Sequence, residues 1–491
     1  MSIKANVGAM MKSGVRKRIL GWLLSSAMVK KIAPRLIESI KEKRVIEEFR
    51  AGRVGAAAAA TSGCDAEAFL SHLGARRMVT RAMRVRVARA LEAYGPLCAQ
   101  WRAHIMRCEQ VFWEAPADAP APHAERESLH HARRRLSNAC QRPVAQFDFL
   151  LRRPRLVPPV KFCVPSPDKL REEFRDEIAR PELLFTAPAA MPAVSISHVL
   201  SAAPRTKEYL IRFPSPSRFA GDMVYARVVE PEEPLPDAPT LIYCGPFGMA
   251  YDQLTNWPEE KYLARPLAQQ GFRIVMMEAP WHGRRTPAGY SSGEYFLAAS
   301  PGGCIAFLSA QVQEISVVAG WLRKRWNCPV AVAGMSLGGM AVQQMTAWCH
   351  TWPAELRPDA VLVCASGFYP ERILANSSLS RGLGISRELA RAGWKANDFE
   401  ALGRLFQPGA QPCIEPGRII TVFGRYDKIV PYAYGREMAG AWAVPAENIV
   451  VWDTGHIGVL IDMVRTPQGI SIIKRALALA RDSSSSLAVP R

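Results

Sequence analysis

The sequence predicts an α/β fold: a mostly parallel central sheet flanked by helices, preceded by a basic, mainly helical extension and interrupted late by a helical insertion. Three observations carry this reading. Short apolar runs at 330–333, 360–366 and 419–423 are too brief for buried helices and suit strands covered on both faces. Helix-length segments separate them, as crossovers between parallel strands require. Three of the turns that follow such runs carry a hydroxyl, a carboxylate and an imidazole, at Ser336, Asp427 and His456.

Read in order, the chain begins with charge. Of the formal +19, residues 1–160 hold 29 Lys and Arg against 13 Asp and Glu, so an anionic partner would meet the first third. Residues 1–50 read as one or two helices. Lys4, Lys12, Arg16, Lys17 and Arg18 precede the apolar 19–24, which is too short to span a bilayer and suits a basic amphipathic helix resting on an anionic membrane surface. A domain-docked basic terminus is the plainer alternative. Residues 51–63, rich in Ala and Gly, read as a linker or a weak helix end. Helical signals follow over 64–111, with Val79, Met83, Val87 and Leu91 stepping by four and Arg77, Arg81, Arg84 and Arg89 on other faces. That is a solvated arginine face, and without a nucleic-acid motif no nucleic-acid partner is expected. A proline-alanine hinge at 116–123 leads to a helix over 124–139. Its adjacent His130 and His131 point about 100° apart and read as surface residues. A proline-rich connector at 154–167 and a helical 168–180 complete an N-terminal extension of residues 1–190.

Strand signals then take over, in a domain expected at 195–482. Residues 208–213 and 222–229 alternate and suit antiparallel edge strands; 240–244 and 273–277 are buried-strand runs. Helices are expected at 263–270 and 305–325, and a long polar loop at 281–303. After the strand at 330–333, Gly334-Met335-Ser336-Leu337-Gly338 opens a helix in which Met340, Ala341, Met345 and Trp348 recur at helical spacing. Strand, tight turn and helix around G-x-S-x-G form a nucleophile elbow, with the serine at the positive end of the helix dipole. Residues 367–417 read as a helical cap insertion. Strands at 419–423 and 448–452 precede Asp427 and His456, a helix spans 468–481, and residues 483–491 read as a disordered tail.

Serine, acid and histidine in this order, each just past a strand, resemble the alpha/beta-hydrolase superfamily over about 195–480. The residues that carry the resemblance are the elbow 334–338, the acid loop Gly424-Arg425-Tyr426-Asp427-Lys428-Ile429-Val430-Pro431 and Gly455-His456. It implies Ser336 as nucleophile, His456 as general base and then acid, and Asp427 as the residue that orients the histidine. Asp453, three residues before His456, is the rival acid. It further implies an oxyanion hole from the Leu337 N–H and the loop 245–248. Pro246 has no N–H, so Phe247 or a neighbour must donate. The loop Pro280-Trp281-His282-Gly283-Arg284-Arg285 is similar to the Pro-x-x-Gly-x-Arg loop of one branch of alpha/beta-hydrolase-domain proteins, some acting on lipids. His282, without an acid partner in sequence, is a poor base candidate and a possible substrate contact.

The chemistry so implied is acyl transfer to water from an ester, thioester or amide, with a lipid-like acyl ester or a soluble ester as substrate. An acyltransferase on the same fold, or a non-catalytic scaffold that keeps it, are the alternatives. The eleven cysteines are scattered without C-x-x-C or Cys/His spacing, which suits reduced, buried thiols in a cytoplasmic protein, peripheral at most to a membrane's inner face. No metal or organic cofactor is implied. The oligomeric state has no signature.

Overall fold

The computed structural model describes residues 27–61, 65–75, 79–113, 123–141, 144–153, 155–200, 205–233, 238–248, 263–409 and 411–486. The basic stretch before residue 27 and most of the proline-alanine hinge lie outside them. Helix α1, Ala27–Ala60, leads the chain, and helices α2, Arg81–Trp113, and α3, His123–Gln141, follow. The alanine-rich end of α1 is neither linker nor weak end. Val54, Ala57 and Ala58 are buried against Phe69, Leu70, Met83, Val87, Tyr94 and Phe147 in a small core of their own. Small side chains serve close packing here: a Cβ at Gly52 would come within 3.1 Å of Ser291.

A nine-stranded sheet makes up the second part, in the order β1-β2-β3-β5-β4-β6-β7-β8-β9. Strands β1 (Ser195–Ile196), β2 (Thr206–Pro214) and β3 (Met223–Pro231) pair antiparallel, and β3 also runs antiparallel to β5 (Arg273–Met277). The remaining pairs, among β4 (Thr240–Cys244), β5, β6 (Val330–Met335), β7 (Ala360–Cys364), β8 (Ile419–Gly424) and β9 (Ile449–Trp452), are all parallel. Every residue of β4 through β8 is buried, which is why these strands read as unbroken apolar runs rather than alternating ones. The predicted fold class is the observed one. The two-residue β1 is too short to leave a period in the sequence.

Helix α4, Gly302–Trp326, leads into β6, and α5, Leu337–Trp348, leaves it; the two pack on each other. Among the described residues α4 alone is long and apolar enough to cross a membrane, and 83% of its apolar window is buried inside the protein. It is a core helix. Helices α6, His456–Arg465, and α7, Pro467–Ser486, close the chain, α7 lying on β6 and β7. The serine-rich end begins as helix through Ser486, rather than as disordered tail from 483. Residues 487–491 lie outside the description.

Two further expectations change. His130 is buried, 1% exposed, because its α3 face packs on Phe112 and toward Glu208 of β2; only His131 is a surface residue. The ten described cysteines are free, but Cys163 is exposed and Cys413 half-buried.

The extension is joined to the sheet domain by buried polar contacts. Arg53 of α1, fully buried, donates to the carbonyls of Gly289 and His72, both at 2.6 Å, and lies 3.5 Å from the buried Glu294. Glu294 in turn accepts from the Lys161 N–H at 2.7 Å. These buried contacts hold α1 in register against loop 289–294.

Candidate active site

The elbow between β6 and α5 is built by its glycines. Ser336 sits at φ 53°, ψ −112°, in the left-handed half of backbone space, a strain of order 1–3 kcal/mol that the surrounding fold must outweigh. A side chain at Gly334 would collide with the Gly338 carbonyl, and one at Gly338 with the carbonyls of Cys244 and Gly245. The strand-to-helix turn is therefore tight enough only with glycine at both positions. It is pinned by the Ser336 N–H donating to Cys364 O at 2.9 Å.

That turn points Ser336 Oγ at His456, whose Nε2 lies 2.8 Å away. On the other side of the ring, His456 Nδ1 is 2.7 Å from Asp427 Oδ2. Because a carboxylate only accepts, Nδ1 carries the proton and Nε2 is left to accept from the serine hydroxyl. The second oxygen of Asp427 accepts from the N–H groups of Ile429 and Val430 at 2.8 and 2.7 Å, which orients the carboxylate. Asp453 does not share this site: it pairs with Arg425 at 2.6 Å on the surface. The His456 ring is fully buried. Burial works against its protonation, but the charge and hydrogen bond of Asp427, with Glu38 and Glu42 behind them, outweigh it and raise the pKa above 6.5.

Glu38 is a neighbour that the sequence did not announce. This α1 residue is 1% exposed, and its Oε1 accepts from the N–H of Ile457 at 2.6 Å, 419 residues away along the chain.

The two expected oxyanion donors are placed as follows. Leu337 opens α5, so its N–H has no acceptor within the helix. Phe247 lines the same cavity as Ser336, its ring stacked on Phe49 of α1 at 4.8 Å. The next N–H of that loop, from Gly248, donates to His282 Nε2 at 3.1 Å. His282 does not line the cavity. Its Nδ1 lies 2.8 Å from Pro280 O, which fixes the proton on Nδ1 and frees Nε2 to accept. Burial, seconded by Arg285, pushes this imidazole down to about 4 against the pull of the Pro280 carbonyl. At neutral pH His282 is thus a neutral bracket for loop 245–248. Its position in a loop gave no hint of that, because the acceptor and donor it joins come from two separate turns.

Ser336 and His456 open into a cavity of about 800 Å³. Apolar groups lining the same cavity include Phe49, Phe247, Leu379, Ile429 and Leu460. Much of the cover comes from α1, over Val45–Ala60, and from Trp101–Glu109 of α2. Residues 367–417, whose described part includes five short α-helices, contribute Leu379. Among the described residues no group of three His, Cys, Asp or Glu side chains is arranged to hold a metal ion.

Comparison with known proteins adds one family match. Residues 252–378 match the family described as alpha/beta hydrolase domain containing 18, a span that includes Ser336 and stops before Asp427 and His456. No curated protein matches the chain in sequence. Among solved structures, brefeldin A esterase, a bacterial homologue of human hormone-sensitive lipase, is 16% identical, covering 65% of this chain and 87% of its own, with a TM-score of 0.39. A cold-adapted esterase from an Arctic intertidal metagenomic library is 14% identical, covering 56% and 96%, with a TM-score of 0.35. A prolyl endopeptidase is 15% identical, covering 60% and 45%, with a TM-score of 0.39.

Proposed function

We propose that this chain, of which residues 252–378 match an alpha/beta-hydrolase-domain family, is a serine hydrolase cleaving a carboxylic ester or thioester through an acyl-enzyme. The observation that carries the reading is the continuous relay from Ser336 Oγ through His456 to Asp427, at 2.8 and 2.7 Å, opening into the cavity. In this mechanism His456 takes the hydroxyl proton as Oγ attacks the acyl carbon, and Asp427 stabilises the resulting imidazolium. The Leu337 and Phe247 N–H groups receive the oxyanion. His456 then returns the proton to the leaving alcohol or thiol, and water repeats the sequence to release the acid. Aromatic and aliphatic side chains in the lining of the cavity into which Ser336 opens favour an apolar acyl group.

The test is labelling with a fluorophosphonate, which phosphonylates an activated serine. Modification mapped to Ser336 in the wild type, and absent in Ser336→Ala, is the expected result; an unlabelled, folded wild type would overturn the reading. The raised His456 pKa adds a pH signature. The base must be neutral in the free enzyme, so kcat/KM falls as the pH drops, with its midpoint above 6.5. A midpoint well below 6.5 would assign that limb to another group.

We also propose that the substrate is a lipid-like ester met at the cytoplasmic, anionic face of a membrane. Support comes from the basic first third and from Leu36, Ile37 and Ile40, exposed on α1 beside Lys41, Lys43 and Arg44. Each apolar side chain buried in the interface contributes about 1.5–3 kcal/mol when fully covered. Flotation with vesicles containing phosphatidylserine is therefore expected to weaken by about tenfold or more when all three become serine. Equal flotation of the two proteins, or none of either, would leave a soluble ester as the substrate.

A further inference from the structure

Helix α1 delivers a carboxylate to the loop that carries His456. Residues Gly455 and His456 begin α6, whose first N–H groups lack acceptors within the helix. Glu38 supplies one across 419 residues of sequence, its Oε1 taking the Ile457 N–H at 2.6 Å. The approach is close: any side chain at Gly455 would collide with the Glu38 carboxyl. Glu38 is 1% exposed, with Lys41 Nζ 3.8 Å from its other oxygen.

Resting on the serine-hydrolase reading above, we propose that Glu38 is a positioning residue for His456: it anchors the start of α6 and places a second carboxylate behind the imidazole, making the N-terminal extension part of the active centre. Asp427 sets the tautomer from the front, at Nδ1, while Glu38 holds the backbone next to the ring. The charged groups acting on His456 are Asp427 of the acid loop and Glu38 and Glu42 of α1. Those acting on Glu38 are Lys41 on its own helix, His456 and Asp427. Burial raises the Glu38 carboxyl, and the Ile457 N–H, Lys41 and His456 draw it back toward the charged form. A negative charge here favours imidazolium, which exists only after Ser336 has given up its proton. Its effect therefore falls on the transition state more than on substrate binding.

The experiment measures the His456 titration midpoint directly, by NMR of 13C- and 15N-labelled histidine in the full chain, alongside kcat and KM against pH for an acyl ester. Glu38→Gln keeps a hydrogen-bond acceptor of the same size and removes the charge. The expected result is a His456 midpoint lowered by about half a pH unit or more, an acid limb of kcat/KM that moves down with it, and kcat reduced about tenfold with KM little changed. Lys41→Gln removes, from a half-exposed position, one of the groups that draw Glu38 toward its charged form, and is expected to move the midpoint downward as well, by a smaller step. A midpoint unchanged in folded Glu38→Gln overturns the proposal. If that variant does not fold, an unchanged midpoint in Lys41→Gln does so instead. The NMR reading needs no turnover, so a chain that shifts as expected but never labels at Ser336 would sink the hydrolase reading alone.

Discussion

Replacing Ser336 with alanine is expected to lower kcat for acyl-ester hydrolysis by about 10⁴- to 10⁶-fold, leaving the fold intact. No hydroxyl then stands before His456 Nε2, and the acyl-enzyme cannot form. Alanine also lacks any means to relieve the backbone strain at φ 53°, so stability is not expected to rise much. Asp427→Asn is expected to cost about 10⁴-fold for a different reason. An amide at that position offers an N–H toward Nδ1, so the proton moves to Nε2, where it opposes the serine hydroxyl. Asp453→Asn, which only loses a surface pair with Arg425, is expected to stay within about twofold. Steady-state kinetics on the three variants separates these cases. A Ser336→Ala protein with full activity would place the nucleophile elsewhere, and equal losses at Asp427 and Asp453 would deny Asp427 its orienting part.

The second large effect concerns stability. Arg285→Met is expected to destabilise the protein by about 3–5 kcal/mol, read from equilibrium denaturation in urea. Arg285 and Glu314 are both fully buried, and the guanidinium meets both Glu314 oxygens at 2.8 and 2.7 Å and both Asp222 oxygens at 2.9 and 2.8 Å. It also donates to the Glu278 carbonyl at 3.0 Å. Removing it leaves the Glu314 carboxylate of helix α4 with, among the described residues, only the Ser215 hydroxyl as a hydrogen-bond partner, at 2.7 Å. An uncompensated buried charge, rather than the worth of the pair itself, is what the variant exposes. The double variant Arg285→Met, Glu314→Met is therefore expected to recover much of the loss. A single variant within about 1 kcal/mol of wild type would mean that Glu314 is protonated in the native protein. The contacts also give the Pro-x-x-Gly-x-Arg loop a structural reason: its last arginine ties the turn after β5 to α4 and to the start of β3, and the same turn brings His282 under loop 245–248.

The sheet was legible because burial on both faces leaves a local mark. Runs such as Ala360–Cys364 and Ile419–Gly424 are apolar throughout, and no other short element looks like that. The elbow was legible because its glycines are demanded by contacts within a few residues, as at Gly334 against Gly338. Elsewhere local reasoning failed. Alanine and glycine at 51–60 looked like weak helix, since propensity and spacing say nothing of a neighbour that needs the room; in the fold, Ala57 and Ala58 are core. His130 read as a surface residue because it and His131 point about 100° apart and cannot share one metal, but the face His130 occupies meets β2.

By itself, then, the sequence determined the α/β class, the strand-turn-helix around Ser336 and the order in which serine, two candidate acids and histidine follow their strands. Only the tertiary structure decided that Asp427 and not Asp453 reaches His456, that α1 covers the serine where residues 367–417 add Leu379, that His282 holds a loop from behind, and that Glu38 stands at the start of α6. The physical reason is range. Backbone periodicity and glycine geometry are imposed by neighbours a few residues apart and so are written locally, whereas a hydrogen bond spanning 419 residues imposes no pattern on either of the segments it joins.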